Sequence, residues 1–440
     1  MKIRLLLLST LLLFLFGTSN AQVVHDLTDC IRTGLEKNFS LLVTRNNETI
    51  SKNNFTPGNA GFLPTLDITA KQSGTLNDSK SNMTDGSQTN SKGVFNTTSY
   101  GSASLGWTIF NGFNVQTTYK KLNELKQVGE LNTQMTVENL VADIISGYYN
   151  CILQVQLLKN KKYAVALSRE RLRIDEDRYL LGSGSKLQVL QSRVYFNSDS
   201  SNYAMQNEVV RAAKIKLNEM MAVDDLGELF ISKDTLIILG QQLLYEKLLD
   251  ETLAKNTSLL IASKNKVISE YDYKIIKSRS YPYMNLSSGY NYYYNTYTNN
   301  TTKNLTTNGM NYGVTIGINV FDGMNQRRNI RNSTIDIENN ELKYNEIQQG
   351  VKADLITIYN AYTNYLRLIS LEEQNLQTAT ENLEIAMDRY KLGSLSGLDL
   401  REVQKSLLDA KESLLTVEYQ AKLAEISLML ISGRIMDYYK

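Results

Sequence analysis

One turn motif occurs twice in the chain, 211 residues apart. Residues 178–183 and residues 389–394 both read Arg-Tyr-x-Leu-Gly-Ser, and each copy interrupts a long helical pattern that contains no proline. Glycine is the usual residue just past a helix C-terminus, and serine caps the helix that follows. We therefore predict two versions of one unit, each with a sharp turn between two helices.

The first 21 residues have the pattern of a secretory signal peptide. Lys2 and Arg4 form a basic start, residues 5–16 are an apolar run, and small residues follow at 19–21. This apolar run is too short to cross a bilayer as a helix. We therefore predict that residues 1–21 are a signal peptide and that the mature chain is exported.

The composition argues against several classes of function. The formal net charge is +2, and Lys2 and Arg4 account for it, so the mature chain is neutral and gives no sign of nucleic-acid binding. The single histidine, His25, has no patterned partner for a metal site or for a Ser-His nucleophile. Cys30 and Cys151 are too few for a disulfide framework. We predict no catalytic, cofactor-binding or metal-binding residues.

The similarity between the two halves extends well beyond the turns. Each half begins with two helical segments, separated at Asn38 in the first half and at Asn256 in the second. Each second segment runs into a proline, Pro64 or Pro282, after which apolar and polar residues alternate as in a strand. The predicted repeats are residues 22–225 and 226–440.

Two strands are predicted in each repeat, near residues 64–76, 100–110, 282–290 and 310–321. One face of each is apolar and the other is small and polar, which is typical of a transmembrane barrel strand with lipid outside and water within. The segments 71–98 and 291–309 are rich in small polar residues, with many tyrosines in the second. Their composition predicts solvated loops.

Each pair of strands is followed by a long helical hairpin. The predicted hairpins are residues 114–221, with the tip at Gly182, and residues 325–432, with the tip at Gly393. From Leu400 to Ile431 apolar residues recur at alternating steps of three and four, which predicts coiled-coil packing. The matching positions of the first hairpin include the polar residues Ser192, Asp199 and Gln206. We therefore predict that the two hairpins pack unequally.

This duplicated order of helices, strands and glycine turns resembles the TolC-type outer membrane efflux proteins, the outer membrane factor family. The resemblance covers essentially the whole mature chain. Phe-Asn-Gly at residues 110–112 and Phe-Asp-Gly at residues 321–323 end the strand pairs as in that family. The family often has a second glycine next, where this chain has Phe113 and Met324, so the local turns differ.

The resemblance implies an α+β membrane protein with two tandem repeats. Each chain of a homotrimer would give four strands to one shared 12-stranded outer membrane β-barrel, which continues into a long periplasmic α-helical coiled-coil tunnel. A barrel shared between chains is physically reasonable, because four strands cannot close a barrel alone and open sheet edges are not viable in lipid. The implied location is the outer membrane of a Gram-negative bacterium, with a large periplasmic portion.

The implied function is a passive exit duct of a tripartite efflux or type I secretion system. It would carry small molecules or polypeptides from an inner-membrane transporter, of RND, ABC or similar type, and a periplasmic adaptor of the membrane fusion protein class. Drug efflux, metal efflux and protein secretion are all compatible with the sequence.

Two sites are carried over from the family by position. The adaptor docking surface would be formed by Leu181, Gly182, Ser183, Leu392, Gly393 and Ser394. The alternative is that both glycines only end their helices. A tunnel entrance lined by an acidic ring, which would favour cations, would be formed by Asp399 and Glu402. The alternative there is an acid that complements the helix dipole.

Two other classes of protein are alternatives. The first is an exported coiled-coil structural or adhesive surface protein, and the paired alternating strands argue against it. The second is an exported enzyme such as a lipase. The sequence has no Gly-x-Ser-x-Gly elbow and only one histidine, so an enzyme is not expected.

Overall fold

The computed structural model describes residues 24–227, 230–240, 243–298 and 301–439. The predicted signal peptide lies outside these residues. The chain divides into two compact units. The first is formed by residues up to Arg45, by Thr133–Ser258 and by the chain from Gln348 onward, and the second by Asn46–Asn132 and Leu259–Ile347.

The same order of long elements occurs in both halves of the chain. The first half contains β1 (Val24–His25), α1 (Leu27–Lys37), α2 (Phe39–Asn54), α3 (Pro57–Ala60), β2 (Thr65–Asn82), β3 (Gln88–Asn111), α4 (Asn114–Leu180) and α5 (Lys186–Met221). The second half contains β4 (Ile231–Ser232), α6 (Tyr245–Lys255), α7 (Thr257–Ser278), β5 (Tyr283–Thr296), β6 (Asn304–Gly317), α8 (Asn325–Lys391), α9 (Gly397–Ile431) and a last 3-10 turn at Ile435–Tyr438.

The second unit contains an antiparallel sheet of order β2-β3-β5-β6, so strands of both repeats share one sheet. Directly paired residues lie on the same face of a sheet. One row across all four strands is apolar or aromatic, namely Ile68, Ala103, Tyr290 and Met310. The neighbouring row on the opposite face is small or polar, namely Asp67, Ser104, Gly289 and Asn311. The predicted two-faced sheet is therefore present.

The predictions of solvated loops at residues 71–98 and 291–309 were wrong, because strands occupy most of both segments. Strands β2 and β3 stay paired from Lys71↔Tyr100 out to Asn82↔Gln88. The ladder is made by backbone groups, which pair equally well between serines, threonines and asparagines. The polar composition indicates that these side chains are solvated, but it does not exclude a strand. β5 ends at Thr296, opposite Thr97, so the outer part of this hairpin is a two-stranded ribbon.

The first unit is held by helix packing. The seam predicted on α9 is largely buried: Leu400, Leu407, Ala410, Ala421, Ala424 and Leu428 have little or no exposed surface. Cys30 and Cys151 lie in a neighbouring core as free thiols. Burial raises the pKa of each thiol to about 12, so both stay protonated at neutral pH.

Within the described part of the chain, no helix combines the length and the apolar character that a bilayer crossing requires.

Candidate functional site at the helical tips

Both helical hairpins turn at a glycine in the left-handed conformation. Gly182 has φ +75° and Gly393 has φ +81°. At the first tip the Gly182 N–H donates to the carbonyl of Tyr179 at 3.1 Å, and the Ser183 N–H donates to that of Arg178 at 2.9 Å. Equivalent bonds close the second tip. A residue with a Cβ would be strained at either glycine, so the turn itself requires them.

Serine side chains cap the N-termini of the helices that follow the two turns. Ser185 and Gln188 form a reciprocal capping box at the start of α5. At the start of α9 the Ser396 hydroxyl accepts the Asp399 N–H at 3.1 Å and donates to the Asp399 carboxylate at 2.7 Å. Asp399 therefore takes part in the local cap. Glu402 lies one turn further along, and both carboxylates are exposed in the single chain.

The six residues of the predicted docking surface are all exposed. Leu181 is 82% exposed and Leu392 is 83% exposed, so each tip presents a large apolar side chain to water. The structure brings the two tips together, because the Arg178 guanidinium of the first contacts Tyr390 of the second, 4.7 Å from the ring centroid. The tips form one surface with apolar ends.

A buried polar network joins the two hairpins just behind the tips. Asp175 of α4 accepts hydrogen bonds from the hydroxyl of Ser192 in α5 and from the phenol of Tyr390 in α8. Arg178 also donates to the backbone carbonyl of Tyr390. The Asp175 carboxylate thus links its own helix α4 to α5 and α8, three of the four hairpin helices.

The charge of Asp175 is balanced by a buried arginine. The Arg171 guanidinium lies 3.9 Å from the Asp175 carboxylate, and both side chains are only 2% exposed. An added Cβ on Gly397 would lie 3.2 Å from the Arg171 Nη2 atom, so glycine at the start of α9 leaves room for the guanidinium. Burial, with the neighbouring Asp175 carboxylate, raises the pKa of Tyr390 to about 12. The phenol is therefore a proton donor at neutral pH.

A second ion pair ties the first hairpin to α9. Arg401 donates two hydrogen bonds to the Asp199 carboxylate, at 2.8 and 2.9 Å. The ring of Tyr195 lies between the two arginines, 4.9 Å from the guanidinium of Arg171 and 4.9 Å from that of Arg401. Bidentate pairing and stacking both use the planar geometry of arginine.

Sequence reasoning missed this network. It treated Ser192 and Asp199 as interruptions of an apolar seam, whereas the structure shows that both are buried and that each has a polar partner. The available signal was two polar residues seven apart at seam positions, together with the Arg-Tyr pair inside the duplicated turn motif. Among the described residues, no cluster of three or more His, Cys, Asp or Glu side chains could hold a metal ion.

The comparisons with known proteins cover most of the chain. The family model described as outer membrane efflux protein matches residues 31–223 and 248–434. No curated protein sequence matches the chain.

Three solved structures share the fold at low sequence identity. The Campylobacter jejuni CmeC outer membrane channel has a TM-score of 0.77 and is 13% identical, with 93% of this chain and 85% of that chain covered. A membrane protein from Pseudomonas aeruginosa has a TM-score of 0.76 and 14% identity, with coverage of 92% and 93%. The Vibrio cholerae outer membrane protein VceC has a TM-score of 0.71 and 15% identity, with coverage of 92% and 96%.

Replacing Asp175 with asparagine is expected to loosen the tips. The change leaves Arg171 buried without its counter-charge, and breaking a buried pair costs about 3–5 kcal/mol. Backbone hydrogen exchange in residues 385–400, measured by mass spectrometry, should become markedly faster. The control is Asp177→Asn, which removes an exposed ion pair to Arg173 on the same helix, worth about 0–1 kcal/mol. Equal exchange in both variants would contradict this role of the network.

Proposed function

Because the chain belongs to the outer membrane efflux protein family, we propose that it is the exit duct of a tripartite efflux or type I secretion system. The family match confirms the resemblance seen in the sequence. Proteins of this family are channels, so this protein is a channel and not an enzyme. The duct would passively carry small molecules or polypeptides from an inner-membrane transporter and a periplasmic adaptor, across a Gram-negative outer membrane.

The two-faced sheet with open edges is the observation that carries this proposal. β2 and β6 each pair with one neighbour only in the described chain. In lipid the backbone groups of such an edge have no water to bond, so another strand must cover them. Three copies of the sheet would close a 12-stranded barrel, with the apolar face toward lipid and the polar face toward a lumen.

The internal repeat predicts how the copies pair. Inside one chain β3 of the first repeat pairs with β5 of the second, with Leu105 opposite Ser288. By the repeat offsets, β6 corresponds to β3 and β2 corresponds to β5. The contact between copies should then place Ile316 opposite Ala70 of the partner subunit. The same rule extends β6 beyond Gly317, where Val320 is 88% exposed in the single chain.

The helical tips support docking of an adaptor. Leu181, Gly182, Ser183, Leu392, Gly393 and Ser394 are all accessible, and the contact of Arg178 with Tyr390 joins the two tips. An apolar contact surface on a rigid turn suits a protein partner, because removing exposed leucine side chains from water stabilises the contact. The turn role of the glycines and a docking role of the leucines are compatible.

The exposed carboxylates of Asp399 and Glu402 support an acidic tunnel entrance. They stand three residues apart and so lie on one face of α9. Three copies of this face around an axis would form rings of negative charge, which favour cations.

The duct itself is tested by mass and conductance. The detergent-extracted membrane protein should contain three chains per particle and conduct ions through planar bilayers. A short thiol cross-linker should join chains that carry both Ile316→Cys and Ala70→Cys. A non-conducting particle of one or two chains would overturn the proposal.

The control for the cross-link shifts one strand by a single residue. A chain with Ile316→Cys and Lys71→Cys places the two thiols on opposite faces of the sheet, because side chains alternate along a strand. It should not cross-link. Equal cross-linking of both pairs would contradict the expected register.

The acidic entrance is tested by neutralising it. Asp399→Asn with Glu402→Gln should move the cation-to-anion permeability ratio of the channel toward one, measured as a reversal potential in a salt gradient. The control variant, Glu384→Gln with Asp388→Asn, removes two exposed acids from α8. An unchanged ratio in the first variant, or an equal change in the control, would exclude the ring.

The docking surface is tested by charging the tips. Leu181→Asp with Leu392→Asp should prevent co-purification of the periplasmic adaptor after cross-linking in cells, because a carboxylate cannot be buried cheaply in an apolar contact. The matched control, Leu181→Met with Leu392→Met, keeps the apolar surface and should keep the adaptor. Full adaptor recovery with the aspartates would refute docking at the tips.

A further inference from the structure

An open groove of about 720 Å³ lies beside the sheet in the second repeat. It is bounded by the chain that follows β6, by the junction between α7 and β5, and by the first turns of α8. Ile318 and Ile330 give it apolar walls, while Arg279 and Arg327 stand at its border.

The same place in the first repeat is filled by aromatic side chains. The Trp107 indole N–H donates to the carbonyl of Phe62 at 2.9 Å, and Phe62 packs edge-to-face on Tyr119 with ring centroids 5.8 Å apart. The counterparts of these three residues in the second repeat are Ile318, Ser280 and Ile330. Loss of the aromatic rings leaves the groove open.

The groove also carries positive charge that the first repeat lacks. Arg279 and Arg327 take the places of Gly61 and Gln116. Within the described residues neither arginine forms an ion pair. One acid, Asp322, lines the groove, and its carboxylate accepts the N–H of Gln326 at 2.8 Å.

The position of the groove relates it to the lipid-facing side of the sheet. Trp107 is paired on the same face as Leu105, which belongs to the apolar face. Its counterpart Ile318 follows Val314 and Ile316 of the same face on β6, just past the last residue of that strand. The groove therefore lies where the apolar band ends, the level at which tryptophan is enriched at membrane surfaces.

Pairing with a partner subunit would leave the groove open. In the first repeat, β3 is already paired with β5 along Trp107–Asn111, and the cluster of Trp107, Phe62 and Tyr119 is still made by that repeat alone. Pairing at the edge of the sheet covers backbone groups but leaves the two faces of the sheet uncovered. By the same geometry the part of the groove formed by Ser280, Ile318 and Ile330 stays accessible in a closed barrel.

We propose that this groove binds a phospholipid of the membrane leaflet, with the lipid phosphate on Arg279 and Arg327. The proposal rests on the proposed function, since it needs the sheet to stand in a membrane. Guanidinium groups match the geometry and charge of a phosphate diester. The acyl chains would continue from Ile318 along the apolar face of the sheet. A phospholipid would therefore occupy both the charged and the apolar parts of the groove, whereas free phosphate would occupy only the charged part.

The test is lipid retention measured by native mass spectrometry. The extracted protein is incubated with dioleoyl phosphatidylglycerol, or with dioleoylglycerol, which has the same acyl chains and no phosphate. The intact protein should retain one phosphatidylglycerol per chain and no dioleoylglycerol. Arg279→Gln with Arg327→Gln should weaken retention at least tenfold, because two charge-assisted contacts to phosphate are lost.

Two further variants separate the groove from general charge. Arg328→Gln with Arg331→Gln removes the same charge from α8 outside the groove lining and should bind like the parent protein. Ser280→Phe restores the phenyl ring of the first repeat, keeps both arginines and should reduce binding by filling the space.

Each contrary result has a defined meaning. Unchanged retention in the Arg279 and Arg327 variant, equal loss in the Arg328 and Arg331 variant, or equal retention of dioleoylglycerol would overturn the lipid site. A conducting three-chain particle that retains no phosphatidylglycerol would overturn the site and leave the duct intact. Failure to form such a particle would instead overturn the proposed function.

Discussion

The open edges of the four-stranded sheet are the constraint on which the architecture depends. Each antiparallel ladder satisfies the backbone of two strands, yet the outer groups of β2 and β6 have no partner in the described chain. In water such edges are tolerable, whereas in hydrocarbon they are not. A sheet of four strands in a membrane must therefore be completed by further strands. Under the proposed function these come from copies of the same chain, and the duplicated sequence supplies matching edges.

The two repeats share one scaffold, but their side chains give it different chemistry. The tips keep the same glycine turns, but behind them the first hairpin contributes Asp175, Ser192 and Asp199 where the second is mostly apolar. At the end of the sheet next to the helices the relation is reversed, because the first repeat is packed with aromatic rings and the second carries arginines around a groove. Equivalent positions in the two repeats thus carry side chains of different chemistry in both places.

The sequence was informative where a local rule decides the structure. Gly182 and Gly393 end their helices for a backbone reason, and the seam from Leu400 to Leu428 follows from helix periodicity. Composition misled at residues 71–98, because the ladder depends on backbone pairing that polar side chains do not reveal. The bond from Tyr390 to Asp175 joins residues more than two hundred positions apart, and no single-sequence pattern encodes such a contact.

The ribbon formed by the outer parts of β2 and β3 stands apart from the rest of the sheet. It continues beyond Thr296, where β5 ends, and turns at Met83–Ser87 through Gly86 with φ +87° and no atom within 4 Å of an added Cβ. A two-stranded hairpin without a third strand adds little to the stability of the whole. Its tip is therefore the natural place to insert a foreign peptide, because the insertion would disturb neither the four-stranded part of the sheet nor the helices.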